Sequence, residues 1–223
     1  MMKTLKGSLR TLLLAALAGF CIGIGGIVYL MQENKLAGAF LFAVGLLTIL
    51  IFKFNLFTGM VGYLGEQLLV KKWGYLITLL LVWLGNLLGT GLAALGVSLT
   101  RIGDGLAAKC ALLSATKTAD KWYSLLLLGV FCGILMYIAV DTFKKRIGEK
   151  DFLCCLAVLM GVMVFILAGF EHSIADMFYF WMGGAFPKAI PALLWITLGN
   201  AVGGNLIPMG LLLAKTLSGE EGK

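Results

Sequence analysis

The stretch Ala168-Gly169-Phe170-Glu171-His172-Ser173-Ile174-Ala175-Asp176 lies inside a long apolar run, near Phe152–Gly183, and holds the single histidine of the chain. Three ionisable side chains there sit where a bilayer penalises them; a central Asp costs roughly 2.5–3.5 kcal/mol on insertion scales. Such residues face a bundle interior or a wet cavity and mark a functional site by default. Gly169 before them and Ser173 after them point to a helix that breaks here.

Everything else in the chain is compatible with that reading and with little else. Of 223 residues, 61% are hydrophobic and 13% charged, against about 45–50% and 25% in soluble domains. An all-α integral membrane protein follows, with length for about six spans of ~20 residues and no room for a soluble catalytic domain, so an enzyme is not expected. The formal charge of +7 reads as topology-setting basic residues rather than a nucleic-acid surface. Five cysteines form no CxxC pair, and adjacent Cys154-Cys155 are poorly placed to ligate one metal from a helix; they read as packing residues, and no metal or cofactor is expected.

Spans are expected near Leu12–Met31, Leu36–Val70, Trp73–Leu99, Trp122–Phe143, Phe152–Gly183 and Ile190–Ala214, with a loose connection over Thr100–Lys121. The second and fifth are interrupted, the second at Lys53-Phe54-Asn55-Leu56-Phe57-Thr58-Gly59. Six spans put both termini on one side. That face carries eleven of the basic residues against six opposite, with Lys53 within the membrane, which accounts for all 18. The positive-inside rule then puts both termini in the cytoplasm of a plasma (inner) membrane protein.

Two motifs share one offset. Gly85-Asn86-x-x-Gly89 and Gly199-Asn200-x-x-Gly203 are separated by 199 − 85 = 114, and 58 + 114 gives His172. The chain thus reads as one channel domain over residues 1–223, made of two three-span halves (about 12–100 and 120–215). An odd span count forces opposite orientations: an inverted three-plus-three repeat with two broken helices building a midplane site. Thr58 and His172 are the expected mirror-related side chains at the two breaks. Imidazole titrates near neutrality and can trade a proton. Glu171 is expected to accept backbone N–H groups of the break. Asp176, four residues after His172, shares its helical face and has His172 or Lys53 as candidate partners.

Leu56-Phe57-Thr58-Gly59, Gly169-Phe170-Glu171-His172-Ser173-Ile174-Ala175 and the two Gly-Asn motifs resemble the formate/nitrite transporter family over about Gly19–Leu213. That resemblance implies a homopentamer of aquaporin-like six-helix protomers, each with its own pore for small monovalent weak-acid anions (formate, nitrite, hydrosulfide). It implies apolar constrictions from Leu56, Phe57 and Phe165, with Val140 added, on either side of a proton-relaying His172. It also makes Lys121 the anion-recruiting lysine, with Asn86 and Asn200 bracing the histidine region. The departures are Asp176 and Tyr137, where the family usually or often has Asn, and Asn55 and Lys53 before the Leu-Phe-Thr. The Tyr137 and Asp141 region is unlike the formate and nitrite branches and leans toward a hydrosulfide-like or separate one. The partners implied are anions, protons and lipid. The alternative is an aquaporin-like channel for neutral solutes, against which stands the absence of paired Asn-Pro-Ala motifs.

Overall fold

A computed structural model describes residues 2–149 and 152–219; Lys150 and Lys223, two of the basic residues counted above, lie outside them. The described residues form helices joined by short turns and extended breaks, with no strand among them. Helix α1 covers Met2–Met31 and α2 covers Lys35–Ile51. Short α3 (Phe57–Met60), a 3-10 turn at Val61–Tyr63 and α4 (Leu64–Leu69) continue the second expected span. Then come α5 (Gly74–Ser98), α6 (Gly103–Ala119), α7 (Trp122–Arg146), α8 (Leu153–Ala168), α9 (Ser173–Met182) and α10 (Ile190–Ser218).

Local chemistry sets several of these boundaries. Asn34 caps α2, its Oδ1 accepting from Leu36 N at 2.9 Å and Ala37 N at 3.1 Å. Lys144, Lys145 and Arg146 fill the last turn of α7, where positive charge suits the helix dipole. Gly169 ends α8 with φ 73°, a left-handed conformation that glycine adopts without a Cβ clash.

Among the described residues, four helices are long and apolar enough to cross a bilayer: Leu5–Met31, Gly74–Ser98, Trp122–Arg146 and Ile190–Ser218. Helices α8 and α9 together form a broken pair bent by 55°. Two expectations need correction. The first helix starts well before Leu12, because the basic head Lys3–Arg10 continues it without a break, Leu5, Lys6, Leu9 and Arg10 outweighing the poor helix former Gly7. The connection over Thr100–Lys121 is not loose: α6 occupies most of it. Its buried Gly103, Leu106, Cys110 and Ser114 fall three or four residues apart, a helical stripe that docks against the rest.

Small residues determine how closely the long helices approach. A Cβ on Gly85 would lie 2.8 Å from the Leu12 carbonyl oxygen, and one on Gly89 would enter the Ala16 carbonyl. Gly199 faces the Leu126 carbonyl and Gly203 the Val130 carbonyl in the same way. Each pair repeats at one spacing, since 203 − 89 = 114 and 130 − 16 = 114. These glycine–carbonyl contacts of α1–α5 and of α7–α10 therefore match at one spacing, as expected of small-residue contacts between membrane helices. Between them sits α9, whose residues Ser173 to Phe180 are all buried. Phe178, Phe180 and Met177 are fully enclosed.

Candidate functional site

Both helix breaks are held by an asparagine from the neighbouring long helix. After α2, Asn55 N donates to Leu14 O at 3.3 Å. Asn86 Oδ1 then accepts from Phe57 N at 2.9 Å, while its Nδ2 donates to Asn55 O (2.9 Å) and Ala15 O (2.8 Å). After α8 the pattern recurs: Glu171 N donates to Leu128 O at 3.3 Å. Asn200 Oδ1 accepts from Ser173 N at 2.9 Å, and its Nδ2 donates to Glu171 O (2.8 Å) and Gly129 O (2.9 Å). Backbone freed from a helix is tolerated at membrane depth only when protein satisfies it. Each asparagine is fully buried and satisfies three such groups or their neighbours.

These bonds set a register that the sequence offset does not. At the breaks the matching spacing is 173 − 57 = 116 and 171 − 55 = 116, although the flanking helices match at 114. Leu56 and His172 are therefore counterparts, each the N-cap of the half-helix that follows. Thr58 and His172 are not mirror-related. They meet instead by direct contact, Thr58 Oγ1 lying 2.9 Å from His172 Nε2. The mirror assignment failed because each break takes its register from the Asn–backbone bonds rather than from the long helices.

The histidine's tautomer follows from its partners. Ala175 N donates to Nδ1 at 3.1 Å, so Nδ1 carries a lone pair and the proton of the neutral ring is on Nε2. Nε2–H then donates to Thr58 Oγ1. His172 and Thr58 are 2% and 1% exposed. The Phe165 ring stacks on the imidazole at 5.4 Å, and Phe42 meets Phe165 edge-on at 5.8 Å. Leu56, Phe57 and Val140 are buried as well, and a Cβ on Gly59 of α3 would meet the Val140 side chain at 3.3 Å.

Beside the imidazole lies a cavity of about 120 Å³ whose lining includes Tyr29, Phe165, Lys117, His172, Asp176 and Tyr179. Lys117 Nζ donates to Glu171 Oε2 and lies 2.9 Å from Asp176 Oδ1. Burial alone would lower the ammonium's pKa, but Asp176 and then Glu171 outweigh it and hold it above the ordinary lysine range. Neither expected partner of Asp176, His172 or Lys53, is the one found. Lys53 is exposed, in a left-handed turn with φ 57°.

Lys121 is not at this cavity. It is exposed at the N-cap of α7, its Nζ 5.7 Å from the Tyr123 ring centroid. Lys117 takes the place because α6 is a docked helix: the stripe Gly103, Leu106, Cys110, Ser114 continues to Lys117, and Ser114 Oγ donates to Tyr179 O at 3.1 Å. That periodicity was the available signal for Lys117. A second polar cluster, also unassigned from sequence, gathers beyond α3: Tyr63 OH donates to Asp141 Oδ1 (3.2 Å), and Lys145 pairs with Asp141 Oδ2 (2.7 Å). Tyr137 and Tyr63 meet edge-on at 5.9 Å, and Lys144 Nζ lies 4.6 Å from the Tyr63 ring centroid.

Apolar helices, paired breaks and a buried polar centre define a multi-pass membrane transport protein. A family model described as "Formate/nitrite transporter" matches residues 1–214. The chain belongs to that family. It is 31% identical to "Nitrite transporter NirC" of Salmonella typhimurium, over 88% of this chain and 79% of the relative. It is 28% identical to "Formate channel FocA" of Escherichia coli, over 89% and 75%. Among solved structures, "Pentameric formate channel with formate bound" superposes with a TM-score of 0.74 at 25% identity, over 95% of this chain and 98% of that one.

Proposed function

We propose that the protein is a homopentameric channel or proton-linked carrier for small monovalent weak-acid anions, with one pore in each protomer. In this reading α1 to α5 and α7 to α10 form six spans in an inverted three-plus-three repeat, with both termini cytoplasmic. The matching glycine–carbonyl contacts at a spacing of 114 support the repeat. Relatives named for nitrite and formate, and a solved relative described as pentameric, support the substrate class and the assembly. Hydrosulfide stays in the substrate class as a third weak acid of the same charge.

The observation that carries the proposal is the contact between Thr58 Oγ1 and His172 Nε2 inside an apolar enclosure. A bare anion is costly to bury unless paired. At the cavity the cation is Lys117, not Lys121, and Glu171 and Asp176 share its charge. Leu56, Phe57 and Val140 on one side of His172, and Phe165 on the other, form necks that favour a neutral acid. An arriving anion favours the charged form of a nearby imidazole, so His172 takes a second proton from solvent at Nδ1 and releases the Ala175 N–H. The imidazolium then gives its Nε2 proton to the anion, leaving a neutral ring and a neutral acid. The ring regains an Nε2 proton from solvent and returns the one on Nδ1 to solvent, which restores the cap.

The test is a proteoliposome competition series with formate, nitrite, hydrosulfide, acetate and chloride at two pH values. Saturable flux of the weak-acid anions, faster at the lower pH and not shared by chloride, is expected. Chloride flux equal to formate flux sinks the weak-acid reading.

A further inference from the structure

The buried centre contains one acidic group more than its lysine can neutralise. Lys117 is the ammonium that contacts the two carboxylates, Glu171 and Asp176. Their side chains are 13%, 8% and 2% exposed respectively. Fully ionised, the three carry a net charge of −1 on the wall of a cavity read above as an anion path. Burying an uncompensated carboxylate costs several kcal/mol in practice, and the group takes up a proton instead.

The two oxygens of Asp176 are not equivalent. Oδ1 faces Lys117 at 2.9 Å, and Asp176 N donates to His172 O at 2.9 Å as part of α9. Oδ2 is buried and has no hydrogen-bond partner among the described residues. An ionised carboxylate with a naked buried oxygen is the least stable form the site could take. Around it stand Lys117 from α6, Glu171 and His172 from the break, Cys132 from α7, Tyr179 from α9 itself and Tyr29 from α1. Lys117 is the cation of this set, and Glu171 and Asp176 share it.

We infer that Asp176 is a proton-carrying residue of the transport path: in the conducting state its carboxyl is protonated, and the Lys117–Glu171–Asp176 cluster is neutral. The inference rests on the weak-acid reading above and assigns to Asp176 a role apart from that of His172. One proton per pore comes from solvent through the cavity, forming an O–H bond on an Asp176 oxygen. When it leaves, the cluster returns to −1 and repels an incoming anion, so Asp176 sets the alkaline limit of anion entry.

Two measurements on reconstituted full-length protein test this. In flux assays the parent loses formate uptake as pH rises, whereas Asp176→Asn, isosteric but uncharged, keeps at least about tenfold more of its low-pH rate at the alkaline end, the factor corresponding to one pH unit on a single-proton curve. Independently of any transport, infrared difference spectra taken across the same pH range show a protonated-carboxyl C=O band in the parent that is missing in Asp176→Asn. An identical band in the variant, or no band in the parent, overturns the inference even if flux behaves as the weak-acid reading requires. If the band behaves as stated but no anion crosses in either protein, the weak-acid reading fails and the proton site stands.

Discussion

Ala175 N donates to His172 Nδ1 at 3.1 Å, so the imidazole that reaches Thr58 is also the N-cap of α9. One ring nitrogen is committed to holding the half-helix and the other to the contact between the breaks. Asparagine is a good N-cap and does not titrate. His172→Asn is therefore expected to assemble normally while losing the part of the pH dependence of flux that the imidazole supplies, the alkaline fall-off set by Asp176 remaining. His172→Phe loses the cap too, which costs about 0.5–2 kcal/mol. A thermal-melt comparison in detergent, with the Phe variant melting below the Asn variant, separates the two roles. Equal pH profiles in His172→Asn and parent would remove His172 from proton transfer.

Thr58 offers its hydroxyl to Nε2–H, and its own proton is then free to turn toward a ligand. Thr58→Ser preserves that option and Thr58→Val does not. The Ser variant should retain most anion flux. The Val variant leaves a buried imidazole N–H unpaired, at about 1–3 kcal/mol, and should conduct at least about tenfold more slowly, a loss of roughly 1.4 kcal/mol. Rates measured by stopped-flow light scattering on matched proteoliposomes decide it; equal rates for Val and Ser would remove the hydroxyl from the pathway.

Asn86 and Asn200 each make three hydrogen bonds in full burial. Removing either side chain strands backbone donors and acceptors where water cannot replace it, at about 1–3 kcal/mol per group. Asn86→Ala and Asn200→Ala are expected to lower the melting temperature of the assembled protein by comparable amounts. Leu and Asp replacements should not restore it, since neither supplies both an acceptor and donors. A melt unchanged from the parent in either variant counts against the bracing role.

How far the site could be read from sequence depends on what fixes each residue. The Gly-Asn motifs, the break at Gly169 and the burial of His172 were legible because close packing and broken helices leave small residues and polar groups in apolar runs. The register of the breaks was not, because Asn86 and Asn200 choose their backbone partners in three dimensions. Counting 114 from Thr58 reached His172, yet the two meet as contact partners rather than counterparts. Lys117 was hidden for a different reason. Residues 103–119 are mixed enough in polarity to pass for a connection, and only docking against α9 turns their stripe inward.

Lys117 carries the last prediction, because its charge is what two buried carboxylates lean on. Removing one partner of a buried ion pair costs about 3–5 kcal/mol. Its folded pKa stands above the ordinary lysine value, with Asp176 and Glu171 outweighing the opposing effect of burial. A group with a raised folded pKa contributes stability that is fully present below its unfolded pKa, about 10.4 for lysine, and is lost as pH rises through the folded value. The parent should thus show no Lys117-dependent loss of stability between neutral pH and about pH 10. Lys117→Met leaves Glu171 and Asp176 facing each other without a cation. It is expected to melt lower than the parent at neutral pH and to recover as the pH is brought down and the carboxylates take up protons. Lys117→Arg keeps the charge and should stay close to the parent throughout. A Lys117→Met deficit that does not shrink on acidification would mean that packing of the lysine stem, rather than its charge, holds α6 against the break.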